Sequence, residues 1–205
     1  MENWFRALFK SNPPAPAQDN YLARLLGLFS EEIVRIWCAA PQSPYRDLGR
    51  PRVVVPPSTK GYTLDFTLQS TQHGHNYVAE MKCWPAYQNY RYLTLRDAEQ
   101  LQACEDSPFD AFLAVAAAPS RCKVSVGGEP QPMSGAILIW SDVTESGRTA
   151  VRQAYHLTTV LSLREIIDDL VTWEDERYQV FLKERLGWCQ RLFYGLATRT
   201  ISTRP

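Results

Sequence analysis

Seven apolar residues between positions 18 and 39 (Leu22, Leu25, Leu26, Phe29, Ile33, Ile36 and Trp37) share one face of a helix. Glu31 sits nearly opposite that face, and Glu32 flanks it beside Phe29 and Ile36. Ahead of this helix, Trp4, Phe5, Leu8 and Phe9 are spaced as a short amphipathic helix, followed by a proline-rich connector at 11–16. A loop rich in proline and glycine spans 41–51. Residues 62–68 (YTLDFTL) and 76–84 (NYVAEMKCW) are β-branched and aromatic, and the turn signal TQHGHN between them predicts a β-hairpin. Pro108 divides 97–118 into two short helices. Residues 123–126, Gly127-Gly128 and 135–142 read as a second hairpin whose long member, 136–140, is a buried central strand. A helix at 145–155 and a strand at 158–161 follow. Ser162 and Glu165 form a capping box that opens a helical tail running to about residue 197.

This order predicts an α/β fold with a central mixed sheet flanked by helices. Residues 1–17 supply the short helix and connector, 18–162 the α/β core, and 163–205 a C-terminal helical extension packed on it. A chain of 205 residues suffices for one full core. Its composition, 45% hydrophobic and 21% charged, excludes a disordered chain, and its apolar runs are too short to span a bilayer. Five cysteines without a C-x-x-C pair argue against a zinc ribbon or a disulfide framework. With no signal-peptide pattern at the N-terminus, the expected compartment is the cytoplasm, with no membrane partner.

The net charge is +0, but it is unevenly spread. Residues 45–96 hold seven Lys/Arg against three Asp/Glu, whereas 97–205 hold eleven against fifteen. A basic segment of this kind can mark a side that faces a polyanion.

Three charges, Asp65, Glu80 and Lys82, interrupt the apolar strands of the first hairpin. A buried carboxylate without a partner costs several kcal/mol, so these groups need partners or a purpose. A hairpin loop of two residues (73–74) or four (72–75) sets Asp65 opposite Lys82. Glu80 and Lys82, two apart, share a face, so all three charges meet on one side of the sheet. A slip of one residue would separate them. Two converging carboxylates suit a hard divalent cation, Mg²⁺ or Mn²⁺, and a lysine beside it can orient and help deprotonate a bound water. That assembly suits in-line attack on a phosphodiester.

An Asp on one strand and Glu-x-Lys on the next, after an acidic helix and before another helix, resembles the PD-(D/E)xK nuclease superfamily; the matching residues are Asp65 and Glu80-Met81-Lys82, with Leu64 where Pro is usual. The resemblance implies a restriction-endonuclease-like core and metal-dependent cleavage of nucleic acid, most often DNA. It implies Asp65 and Glu80 as metal ligands, with the Met81 carbonyl as a third, and Lys82 as the group that positions water. Some members add a Glu from the first helix, for which Glu32 is the candidate and Glu31 the second choice. Downstream, Tyr90, Arg91 and Arg96 belong to a run from Trp84 that mixes aromatics with cations and could meet bases and phosphates. Arg46 and Arg50 lie in a basic loop that could do the same. A non-cleaving nucleic-acid-binding or assembly module on the same fold is the alternative, and a homodimer or a partner protein is left open. His73 and His75 read as turn residues, Cys83 as a packing group, and Asp168-Asp169 and 174–176 as a solvated helix face.

Overall fold

In the computed structural model, which describes residues 4–9, 15–83, 90–104 and 106–201, every residue of β5 (Asn76–Lys82) and β9 (Gly135–Trp140) is buried. Such unbroken burial arises when both faces of a sheet are covered. The two strands lie side by side in a five-stranded sheet with β1 (Tyr45–Asp47), β4 (Phe66–Ser70) and β11 (Thr159–Ser162), in the order β1-β4-β5-β9-β11. The β1-β4-β5 half is antiparallel, and β5, β9 and β11 run parallel. The fold is therefore a mixed α/β architecture with a mixed sheet.

Alternation along the strands sends each residue to one of two cores. Phe66, Leu68, Ala79, Met81, Ile137 and Ile139 pack beneath α2 (Pro16–Ala39) and α5 (Leu163–Thr172). On the other face Val78, Ala136, Leu138 and Trp140 pack against α3 (Ser107–Ala117) and α4 (Glu145–Tyr155). The even-numbered positions of β5 thus point toward α3, and Glu80 and Lys82 are among them.

Helix starts are set locally. Asp106 accepts the Phe109 amide at 2.7 Å to open α3, with Pro108 in the first turn, where its missing N–H does no harm. Thr144 caps α4 and Ser162 caps α5. The first of the two helices expected over 97–118 is a 3₁₀ turn, Ala98–Ala103. Within α4, Gly147 lies against the Leu95 backbone so closely that a β-carbon would collide with it.

Two pairings differ from the sequence reading. The run 62–68 is not one strand: β3 (Gly61–Thr63) joins another sheet, the chain breaks at Leu64-Asp65, and β4 begins at Phe66. Gly127-Gly128 turns β7 (Lys123–Val126) onto β8 (Glu129–Pro130), not onto 135–142. A second, antiparallel sheet results, ordered β3-β2-β7-β8, with β2 at Pro51–Val54. Both expectations failed for one reason: apolar alternation identifies strands but not partners separated by long loops. A short parallel pair, β6 (Thr94–Leu95) with β10 (Asp142–Val143), ties the loop after β5 to the end of β9.

α1 (Trp4–Ala7) is pinned to α5, because the Trp4 indole donates to Asp168 at 2.9 Å. Trp37 of α2 donates to Asp169, also at 2.9 Å. The Asp168-Asp169 pair is therefore an anchor for two tryptophans and not a solvated face. α6 (Glu176–Ile201) buries Tyr178 and Phe181, then leaves Leu186, Leu192 and Phe193 exposed. Among the described residues no helix is long and apolar enough to cross a membrane. The connector residues 10–14 lie outside the described residues.

Candidate active site

The hairpin register is Phe66 opposite Ala79 and Leu68 opposite Tyr77. Continued by one residue, it sets Asp65 opposite Glu80, two residues away from the expected partner Lys82. Asp65 itself lies in neither strand, and Leu64 and Phe66 on either side of it enter opposite cores, so strand alternation does not carry through it. Glu80 and Lys82 share the α3 side of the sheet, and Asp65 sits beside them at the edge where β4 has ended and β5 continues, close enough for its charge to act on Glu80.

Asp65 bridges that edge. Its Oδ2 accepts the Met81 amide at 2.8 Å, replacing the ladder bond that β4 no longer supplies. Its Oδ1 lies 3.3 Å from Arg50, whose Nε also donates to the Leu64 carbonyl. In an extended strand the N–H and C=O of one residue point to the same edge, so the Met81 carbonyl is directed to the margin that Asp65 occupies.

Glu80 and Lys82 are only 6% and 5% exposed. Lys82 Nζ stands 3.1 Å from Glu80 Oε1, 3.1 Å from Asp106 Oδ2 and 5.2 Å from the centre of the Phe109 ring. Glu80 Oε2 is buried with no hydrogen-bond partner among the described residues. Burial, reinforced by the Asp65 charge, pushes the Glu80 carboxyl up to about 7. Burial also raises Asp65, with the Met81 bond opposing it and Glu31 adding to it. Burial would lower Lys82, but the Glu80 and Asp106 carboxylates outweigh it and the ammonium is raised. Burial is the first influence on all three groups; neighbouring carboxylates add to it at Glu80 and Asp65 and override it at Lys82. Cys104, within reach of the same charges, is pushed up to about 11, chiefly by burial.

Asp106 was not anticipated from sequence. Its signal is the Asp-Ser-Pro helix start, which reads as a cap; nothing in the spacing announces that this cap sits over Lys82.

The structure does not bring Glu32 to this cluster. Its Oε2 lies 2.6 Å from Arg185 of α6, whose guanidinium stacks on Phe181 and Trp188. Glu31 is the helix carboxylate whose charge reaches Asp65, although it also pairs with Arg35 at 2.8 Å. The apolar face misled the assignment because Leu22, Leu25, Phe29 and Ile36 are only partly buried. The most buried stripe of α2 runs through Ala23, Leu26, Ser30, Ile33, Val34 and Trp37, rotated by roughly a quarter turn.

Arg46 is exposed on the edge strand β1, and Arg50 is committed to Asp65. Tyr90, Arg91 and Arg96 line one polar recess of 310 Å³ with Arg6. Gln100 holds that loop, donating to the carbonyls of Arg91 and Thr94 and accepting from the Arg96 amide. Of the aromatic run, residues 84–89 lie outside the described residues. His73 and His75 are exposed at the hairpin tip, and Cys83 accepts from Ser141 at 3.2 Å.

Among the described residues no three His, Cys, Asp or Glu side chains form a ready-made metal cage. Two carboxylates and a main-chain carbonyl are nevertheless a set that fits Mg²⁺, which retains waters and relies on substrate phosphate for the rest. The unpartnered Glu80 Oε2 is the atom such an ion would satisfy.

Comparison with family models, curated proteins and solved structures finds no match to this chain.

Proposed function

We propose that this protein is a Mg²⁺- or Mn²⁺-dependent nuclease that hydrolyses phosphodiester bonds, with DNA as its substrate and a restriction-endonuclease-like core. The observation that carries the reading is the buried, unpartnered Glu80 oxygen, with Lys82 3.1 Å from the other oxygen and the Asp65 charge within reach. The order of helix, Asp65 immediately before a hairpin strand, Glu-x-Lys on the next strand and a following helix supports it.

Asp65, Glu80 and the Met81 carbonyl would hold the metal, which supplies Lewis acidity to the phosphodiester and acidity to a water. Asp65 is kept in place by the Met81 amide, so the two strands cannot part without moving a ligand. Lys82, an ammonium at neutral pH, would hydrogen-bond the oxygen of the attacking water and stabilise charge developing on the phosphoryl oxygens, while the proton of the metal-activated water passes to solvent. Asp106 and the Phe109 ring restrain the lysine stem, which reduces the ordering needed at the moment of reaction.

Incubating plasmid and oligonucleotide substrates with Mg²⁺, Mn²⁺ or EDTA tests the proposal. Cleavage with either metal that EDTA abolishes is expected. A chain that binds DNA without cleaving it under any of these conditions is instead the binding module.

A further inference from the structure

The four-stranded sheet β3-β2-β7-β8 has one face in the core, through Val53 and Val124, and one face outward. Arg52 lies opposite Ser125 and Val54 opposite Lys123, so Arg52 and Lys123 project together from the outward face. The segments that build this sheet, 50–63 and 119–134, contain Arg50, Arg52, Lys60, Arg121 and Lys123 against a single carboxylate, Glu129. Arg50 is used by Asp65. Among the described residues the other four make no ion pair.

Arg52 is also aimed. Its guanidinium lies over Gly61 of the neighbouring strand, in space that any β-carbon would fill. Arg52 and Lys123 border a 430 Å³ recess with Ser125 and Gln131. The sheet is continuous with the site at both ends of its first hairpin. Arg50 immediately precedes β2, β3 ends two residues before Asp65, and the Leu64 amide bonds to the Pro51 carbonyl at 3.0 Å.

We propose that this outward face is a docking surface for the phosphate backbone of a DNA duplex, placing the scissile strand at Asp65. The inference rests on the nuclease reading for its substrate. Its partner follows from charge complementarity: cations that make no ion pair among the described residues, gathered on one outward sheet face, match the phosphates of a duplex and carry no sequence information.

The test is equilibrium binding of a fluorescein-labelled DNA duplex to the full chain in Ca²⁺, at several salt concentrations. The double variant Arg52→Gln/Lys123→Gln should bind roughly tenfold more weakly at moderate salt, with the slope of log K against log salt reduced by about two units. Ser125→Glu, which sets a carboxylate opposite Arg52, should weaken binding in the same direction without touching either cation. Unchanged affinity and slope in both variants would overturn the proposal. So would a wild-type dimer that the double variant converts to monomer with DNA binding intact, because the face then belongs to a second copy. Wild-type chain that binds the duplex through this face but cleaves nothing sinks the nuclease reading and leaves the docking surface standing.

Discussion

The Lys82 ammonium of β5 and the Asp106 carboxylate at the start of α3 stand 3.1 Å apart, joining the central sheet to the helix that covers it. Asp106 uses its other oxygen to cap α3 through the Phe109 amide. One residue thus starts a helix and restrains the lysine of the candidate site. Asp106→Asn keeps a capping side chain but removes the charge beside Lys82. The proposed nuclease should lose roughly 10- to 100-fold in kcat, with KM nearly unchanged. Because Lys82 then loses a carboxylate that raises its pKa, the alkaline limb of the pH-rate profile should move to lower pH. A purely structural role would lower the melting temperature without moving that limb.

Lys82→Met removes the group proposed to act on the attacking water while leaving both carboxylates. Cleavage should fall by roughly 10²- to 10⁴-fold. Mn²⁺ should still bind, measured by calorimetry. If the metal-dependent rate survives intact, Lys82 has no part in the chemistry.

Glu80 makes stability depend on pH in a definite direction. Its pKa is raised by burial from 4.5 when unfolded to about 7 when folded, so the native state holds the proton more tightly. Its contribution is complete below the unfolded value and is lost as pH rises through about 7. Glu80→Gln removes this loss, so metal-free variant and wild type should be similar near pH 4 and diverge toward pH 8. There the variant should be the more stable by an amount on the order of 1–3 kcal/mol. Urea denaturation at several pH values in EDTA reads this directly, and parallel curves would show that Glu80 titrates normally.

Glu32 and Glu31 separate structure from chemistry on α2. Glu32→Gln breaks a partly exposed ion pair to Arg185, worth about 1 kcal/mol or less, and should leave cleavage unchanged. Glu31→Gln removes a charge that raises Asp65 and should shift the acid limb of the pH-rate profile downward. A larger rate loss in Glu32→Gln than in Glu31→Gln would return Glu32 to the site.

The chain's own periodicity determined a good part of this protein: α2, the apolar strand at 136–140, the cap at Ser162, and the common face of Glu80 and Lys82. These are properties of residues a few positions apart, where a period of two or of about 3.6 leaves a direct trace in composition. The place of Asp65 beside Glu80 and Lys82 comes instead from the chain break at Leu64-Asp65, where its carboxylate takes the Met81 amide. Only the tertiary structure decided which pieces meet. It took residues 61–63 out of the hairpin to build a second sheet, placed Asp106 over Lys82, turned Glu32 toward α6, and made anchors of Asp168 and Asp169. Each of these depends on contacts across long stretches of chain, and the free energy that selects them comes from burying whole faces of helices and sheets. Local spacing carries no record of which face a distant element will cover.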